Sequence, residues 1–352
     1  MTTLARVTHI LPVTLIRRER VLPVPGKVLV RAGQKVTATD VVAEANLTPE
    51  HFLLDIARGL GVSSERSDQY LQVQPGSELA EKDVVAGPVG MGRRVVRTPR
   101  AGKVVLAGGG QVLIEAAAKP FQLKAGLPGE VVELLGDRGV AIEASGALVQ
   151  AVWGNGGLDS GVLTVICQSP DQPLAASQLD VALRGSILLA ATCSDREVFK
   201  VAEELPLRAL VLASLDVALL PVAEKCSIPV LVLDGFGQRP MNAVAYKLLS
   251  TNSRREVVVN AQPWNRFSGS RPELIIPLPA SGSLAAAPDA GAFELDLTVR
   301  VLRAPYANLT GVITALHDQA VLPGGLRSRA ATVRLESGEQ ALVPLANLEL
   351  LI

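Results

Sequence analysis

Aromatic side chains are scarce in this chain, with two tryptophans, three tyrosines and six phenylalanines making up 3% of its 352 residues. Hydrophobic residues nonetheless reach 48%, so its cores must be built from Val, Leu, Ala and Ile, a composition that suits tight β layers and buried sheets and excludes general disorder. Cysteine is equally thin. Cys167, Cys193 and Cys226 are odd in number, widely spaced and set in apolar runs, which reads as small core side chains and not as a disulfide or zinc set. The three histidines, His9, His51 and His317, lie far apart. His51 has no partner at ligand spacing, so no metal site is expected, and none of the three falls in the middle of the chain, so a Ser-His-Asp triad there is excluded.

Net charge is missing too, with 34 basic against 34 acidic residues. Such a balance argues against a surface coated for nucleic acid and against an acidic tail, and leaves any basic surface local. The longest apolar stretch, Ala209 to Ala223, is broken by Asp216 and Pro221 and falls short of the roughly 20 residues of a membrane helix. At the N-terminus the basic residues Arg17, Arg18 and Arg20 follow the apolar ones and no small-residue cleavage site is present, which implies a cytoplasmic protein. The dinucleotide fingerprint GxGxxG, the phosphate loop GxxxxGK[ST] and the nucleophile elbow GxSxG do not occur, so no catalytic residue is assigned.

The length predicts three domains, since one hydrophobic core rarely serves more than about 250–300 residues. Residues 1–155 carry internal repeats. VRAGQKVTATDVVA, residues 30–43, and VQPGSELAEKDVVA, residues 73–86, share Val, Gly and a closing Asp-Val-Val-Ala. A second pair, GKVVLAGGGQVLIEA from Gly102 and GEVVELLGDRGVAIEA from Gly129, sets a Gly before two short apolar strands. Paired short strands predict a small barrel or sandwich. Between the first repeats, TPEHFLLDIARGLGV predicts one inserted helix, with Thr48 as N-cap, Pro49 in its first turn and Phe52, Leu53, Ile56 and Leu60 on one face. Arg93, Arg94, Arg97, Arg100 and Lys103 form a local basic cluster, either a phosphate contact or a solvated hairpin without aromatic residues to stack bases.

Residues 156–280 change period. Apolar runs of strand length at Gly161–Cys167, Ser186–Ala191, Ala209–Ala213, Pro229–Leu233, Val257–Ala261 and Leu274–Ile276 alternate with helical stretches at Ser194–Leu205, Leu215–Lys225 and Met241–Leu249. That order predicts a parallel, three-layer α/β sheet. In Ile228–Thr251 a buried strand runs into Asp234-Gly235-Phe236-Gly237 and then a helix, which offers a candidate anion site at Asp234, Gly235, Gly237, Arg239 and Asn242, with Arg239 as counter-charge, or else an ordinary turn. Trp153 to Gly157 is a turn-rich joint whose Trp packs between the first two parts. Residues 281–291, SGSLAAAPDAG, have a linker's composition, and residues 292–352 then carry four short strands, enough for one SH3-like barrel.

Two resemblances add to this. The glycine-strand-DVVA pattern of the first part resembles the barrel-sandwich hybrid scaffold of biotinyl and lipoyl carrier domains, but the hairpin that carries their modified lysine reads GMGRRVVR here, so acyl or carboxyl transfer and a covalent cofactor are not implied. VRVLRAPYANLTGVI, from Val299, with ATVRLESGEQALVPLANLELL, from Ala331, resembles the KOW module of NusG- and Spt5-type transcription factors and of ribosomal proteins. Arg300, Pro305, Tyr306 and Gly311 stand at that module's basic, turn and glycine positions. Asn308 and a long insertion, His317 to Ser328, depart from it. The resemblance implies a docking barrel for RNA, a ribosomal protein or a polymerase, with Arg303 and Tyr306 at its surface. Five arginines against six acids in residues 292–352 favour protein over RNA as its partner. The sequence thus predicts a non-enzymatic adaptor. A small-anion or nucleotide-binding protein, enzymatic or not, and a structural homo-oligomer, which a mean hydropathy of +0.32 favours, stand as alternatives.

Overall fold

The computed structural model of the chain describes residues 4–47, 50–116, 120–265, 270–279, 284, 286 and 290–352. The protein is mostly β, with 48% of the described residues in strands and 14% in helices. Among the described residues no helix is long and apolar enough to cross a membrane.

The repeats seen in the sequence are repeats in space. Val28 pairs with Ala43 as Leu71 pairs with Ala86, Val41 with Lys124 as Val84 with Arg97, and Val36 with Gly129 as Leu79 with Gly102. The turns match as well. Gly33 and Gly76 both take positive φ, 78° and 92°, and the carboxylates of Asp40 and Asp83 each accept a backbone N–H three residues earlier, from Thr37 and Ala80, at 2.8 Å. Gly102 and Gly129 lie so close to the neighbouring strand that a Cβ would stand 2.3 Å from Glu115 O and 2.2 Å from Glu143 O. The two copies are nested. The second, residues 51–116, interrupts the first within its hairpin between Val41–Ala45 and Phe121–Lys124. In the second copy the matching hairpin closes at Gly90-Met91-Gly92-Arg93, with Met91 fully exposed.

The inserted helix is shorter than expected. His51–Asp55 is a strand paired with Gln111–Ala116, and only Ile56–Leu60 is helical, capped by Asp55, whose carboxylate accepts from Arg58 N at 2.9 Å. Pairing with a ready strand edge outweighs the helical spacing of Phe52, Leu53, Ile56 and Leu60. Thr48 and Pro49, the expected cap and first turn, lie outside the described residues.

A single hydrogen-bonded sheet runs from the first copy into the middle of the chain, across residue 155. Gly139–Gln150 pairs along one edge with Ile10–Val21 and along the other first with Gly129–Leu134 and then with Glu273–Pro277. All six runs predicted for residues 156–280 form strands. Leu158–Val165, Ser186–Cys193, Ala209–Leu215 and Val230–Phe236 pair in parallel. Their side chains alternate between two packed faces: Leu189, Val211 and Leu231 meet helix Ala243–Thr251, while Leu188, Leu210 and Val232 meet Val198, Phe199 and Ala223. Glu256–Asn260 departs from the expected direction: it pairs antiparallel both with Leu158–Val165 and with Glu273–Pro277. After Thr251 the chain turns at once, with Arg254 N–H on Leu163 O at 2.8 Å, and enters the sheet beside Leu158–Val165 without the crossover that a parallel return needs.

The closing sheet has the order Ala290–Ala292, Leu4–Thr8, Leu348–Leu351, Thr298–Val301, Thr310–Val321, Arg327–Leu335, Gln340–Pro344. Leu4–Thr8, from the other end of the chain, runs parallel to Leu348–Leu351, so this sheet is not contained in residues 292–352. The expected linker 281–291 lies largely outside the described residues, but its last residues belong to the strand Ala290–Ala292, paired with Leu4–Arg6.

Candidate functional site

The strand Val230–Phe236 carries Asp234 into the interior just before Gly235 and Gly237, whose φ values of 129° and 100° turn the chain toward helix Ala243–Thr251. Asn242 caps that helix by accepting from Ala245 N at 2.8 Å. It also closes the loop on Asp234: the Asn242 backbone N–H donates to Oδ2 at 2.9 Å and its side-chain amide to Oδ1 at 2.7 Å.

The residues predicted separately in the middle and C-terminal parts meet here. Arg300 lies on Thr298–Val301 with its side chain 2% exposed and donates from Nη1 to Asp234 Oδ1 at 3.0 Å. Its Nη2 donates to Glu349 Oε2 at 2.7 Å, from the residue directly opposite in the antiparallel ladder. Asn308, held at φ 68°, donates from its side chain to the Asp234 carbonyl, and Arg239 donates to the Ala307 carbonyl. The left-handed backbone of Asn308 is one that asparagine, like glycine, tolerates. The far oxygen of Glu349 accepts from Thr8 Oγ1 at 2.5 Å, Arg6 Nε at 3.2 Å and Arg271 Nη1 at 3.5 Å. Arg271 Nη1 also donates to Thr8 Oγ1 at 2.9 Å. One buried network therefore joins the first strand, the parallel sheet and the closing sheet.

Its two carboxyls respond differently. Burial pushes Asp234 up, and Arg300 and Asn242 offset this only in part. Burial also pushes Glu349 up, but Arg300, Thr8 and Arg6 together outweigh it and hold that carboxyl below the ordinary range. Burial, reinforced by Arg6, lowers Arg271.

Three backbone donors of this loop, and part of the Arg239 guanidinium, are engaged by the protein. Gly237 N–H is on Leu215 O at 2.8 Å, Arg239 N–H on Ser214 Oγ at 3.0 Å and Met241 N–H on Pro170 O at 2.7 Å. The Arg239 guanidinium is held by the carbonyls of Phe236 and Ala307. What the arrangement does chemically is fix two modules in register: a desolvated ion pair is a poor source of net stability but a strict geometric constraint.

The other predicted residues lie apart from this joint. Gly311 packs against the adjacent strand, where a Cβ would stand 2.6 Å from Arg334 O. Tyr306 donates to Glu339 at 2.6 Å, and Arg303 and Pro305 are exposed on the same loop. Of the basic hairpin, Arg93 and Arg94 are exposed, Arg97 donates to Lys82 O at 2.9 Å, and Arg100 pairs with Glu50 at 2.8 Å while stacking over Phe52. Among the described residues no group of three or more His, Cys, Asp or Glu stands close enough to hold a metal. A groove of about 570 Å³ lies elsewhere, between helices Glu197–Glu204 and Leu220–Ala223, lined by Phe199, Lys200, Glu203, Val222, Lys225 and Cys226. Burial pushes the Cys226 thiol up to about 11, so at neutral pH it is a weak nucleophile.

Glu349, Arg271, Arg6, Thr8 and Ser214 were not singled out from the sequence. A signal existed for the first: VRV around Arg300 and LEL around Glu349 are single opposite charges inside two apolar strands of one module, and buried charges come paired. No family model matches this chain, and no curated protein resembles it in sequence.

Proposed function

We propose that this chain is a cytoplasmic, non-enzymatic multi-domain adaptor whose closing sheet is a KOW-like, SH3-type barrel that docks on a protein of a larger transcriptional or ribosomal assembly. In this reading the first part is a duplicated barrel-sandwich hybrid, supported by the matched registers, and the middle is a three-layer α/β unit, supported by the parallel strands with helices packed on both faces.

One observation carries the docking reading. The insertion His317 to Ser328 is part of a hairpin in which Thr310–Val321 pairs with Arg327–Leu335 out to Val321 and Arg327, and it presents Leu316, Val321 and Leu326 to solvent beside Arg327. Apolar side chains held out on a rigid ribbon, with a basic neighbour, suit a protein partner better than an RNA backbone. At the Asp234–Asn242 loop Asp234 and Asn242 are bonded to each other and Arg239 to two backbone carbonyls, so the docking reading is preferred to the anion-binding alternative.

The test is capture from native lysate by the immobilised full chain, with and without nuclease, against a Val321→Asp/Leu326→Asp variant. Recovery of the same proteins by the wild type with or without nuclease, and their loss with the variant, is the expected result. Equal recovery by both chains, or recovery abolished by nuclease, overturns the reading.

A further inference from the structure

The strand His51–Asp55 ends a four-stranded sheet, beside Gln111–Ala116, and among the described residues it has no strand on its other side. At its two ends Ala116 N–H donates to Glu50 O and Ile56 N–H donates to Gly110 O, at 2.8 and 2.9 Å. Even-numbered residues therefore turn their backbone to the neighbour, and His51, Leu53 and Asp55 turn theirs outward. Edges of this kind are blunted in proteins by shortness, charge, proline or a bulge. Elsewhere in the molecule Glu78–Leu79, Lys35–Val36 and Trp153–Gly154 are two residues each, and Gln340–Pro344 ends in proline. His51–Asp55 has five residues, an unbroken register and no proline or lysine.

The nested duplication supplies the control. Glu115 pairs with His51 as Glu143 pairs with Arg17, so HFLLD in the second copy corresponds to RRERV in the first. Across the outer face the second copy has Leu53, Leu113 and Leu106 in one cross-strand row, with Leu53 55% and Leu106 63% exposed, where the first has Glu19, Ala141 and Glu133.

We infer that His51–Asp55 is a homodimer interface, pairing antiparallel with the same strand of a second copy about a two-fold axis at Leu53. Self-complementarity selects this occupant. With Leu53 on the axis, His51 lies opposite Asp55 of the second copy, twice over. Asp55 uses Oδ1 to cap its own helix, leaving Oδ2, and His51 already stands 3.8 Å from Glu115. On the inner face Phe52, half-buried at the margin of the core, comes opposite Leu54 of the second copy, also half-buried. The outward N–H and C=O groups of Leu53 find partners, as do the C=O of His51 and the N–H of Asp55, and the leucine row becomes continuous across an eight-stranded sheet. This surface is separate from the docking hairpin and does not rest on it.

Sedimentation equilibrium of the full chain tests the inference. The wild type is expected to be a dimer, and Leu53→Lys, which places two ammonium groups on the axis, a monomer that keeps the wild type's circular dichroism spectrum because Leu53 is exposed in the single chain. His51→Asp should weaken the dimer and His51→Lys should tighten it, each roughly two- to thirtyfold from two like or unlike cross-strand pairs. A monomeric wild type, a dimer that survives Leu53→Lys, or His51 variants that shift the equilibrium in the same direction would each overturn it.

Discussion

Replacing Arg300 by methionine removes the cation that, among the described residues, both Asp234 and Glu349 touch, while keeping a long apolar side chain in the space it leaves. The two carboxyls are then unequal. Glu349 keeps Thr8, Arg6 and Arg271, but Asp234 is left with Asn242 alone on its carboxylate, and Asn242 is neutral. Leaving a buried charge without its counter-ion costs about 3–5 kcal/mol, against a total stability of about 5–15 kcal/mol for a domain, so Arg300→Met should lose about a fifth or more of the stability of the joined parts. Asp234→Asn should cost less, about 1–3 kcal/mol, because Arg300 retains Glu349. The double variant should fall short of the sum of the two, since they break the same contact. The pH dependence follows from the directions of the shifts. Glu349 is depressed in the folded protein, so its contribution is complete above the unfolded carboxyl value, about 4.3, and is lost as pH falls through the folded one. Asp234 is raised, so its contribution is full at acid pH and shrinks as pH rises through its folded value. Without Arg300 both carboxyls rise, and the deficit of the variant must be largest at neutral pH and narrow on acidification. Urea unfolding followed by circular dichroism at neutral pH and near the unfolded carboxyl value measures this. A loss below about 1 kcal/mol at neutral pH, the low end for removing one hydrogen-bonding partner, or an equal loss at both pH values, refutes the reasoning.

Gly102→Ala and Gly129→Ala should destabilise by similar amounts, about 1–3 kcal/mol, because each drives a Cβ into the carbonyl of the paired strand, at Glu115 and Glu143; unequal losses in urea unfolding would deny that the copies are structurally equivalent. Residues 292–352 alone lack the strand Leu4–Thr8 that covers Leu350, so the isolated segment should give poorly dispersed amide signals, and adding a peptide of residues 4–12 should disperse them. A well-dispersed spectrum without the peptide would show that the first strand is dispensable.

What could be read from the sequence was what local chemistry determines. The repeats were visible because their turns demand particular residues: glycine at the positive φ of Gly33 and Gly76, and an acid at Asp40 and Asp83 to hold the next turn. The strand runs of the middle part were visible because they are buried on both faces and so lack polar residues. Direction was not, since Val257 and Ile275 look the same in a parallel or an antiparallel ladder. His51–Asp55 was read as helix because the edge of Gln111–Ala116, which captures it, lies some 60 residues away in the chain and leaves no local mark. The partnership of Thr8 with Glu349 spans 341 positions. The candidate loop illustrates both sides. Asp234, Arg239 and Asn242 were recognised as an unusual polar group, but an acid and a helix N-terminus suit an internal arginine as well as an external ligand, and only the tertiary structure supplies Arg300.

The two nested copies show how context divides one unit into two tasks. In the first, every arginine of RRERV is used to tie the copy to its surroundings: Arg17 pairs with Glu133 and Glu143, Arg18 with Glu273 of the shared sheet, and Arg20 reaches Lys124 O and Gln262. Those contacts require charge on the strand, and the same charge blunts its edge. The second copy hangs from the hairpin of the first and has no large sheet to hold, so its corresponding strand carries no such ties. Of its five residues only Asp55, as a helix cap, and His51, beside Glu115, make polar side-chain contacts. An edge relieved of internal duties keeps leucine and phenylalanine in contact with water only at a cost, of about 25 cal/mol per Å² of apolar surface left uncovered, and covering that surface with an identical edge removes the cost for both chains. The difference between RRERV and HFLLD thus follows from where each copy sits: one faces inward to its own chain, and the other is free to face a second.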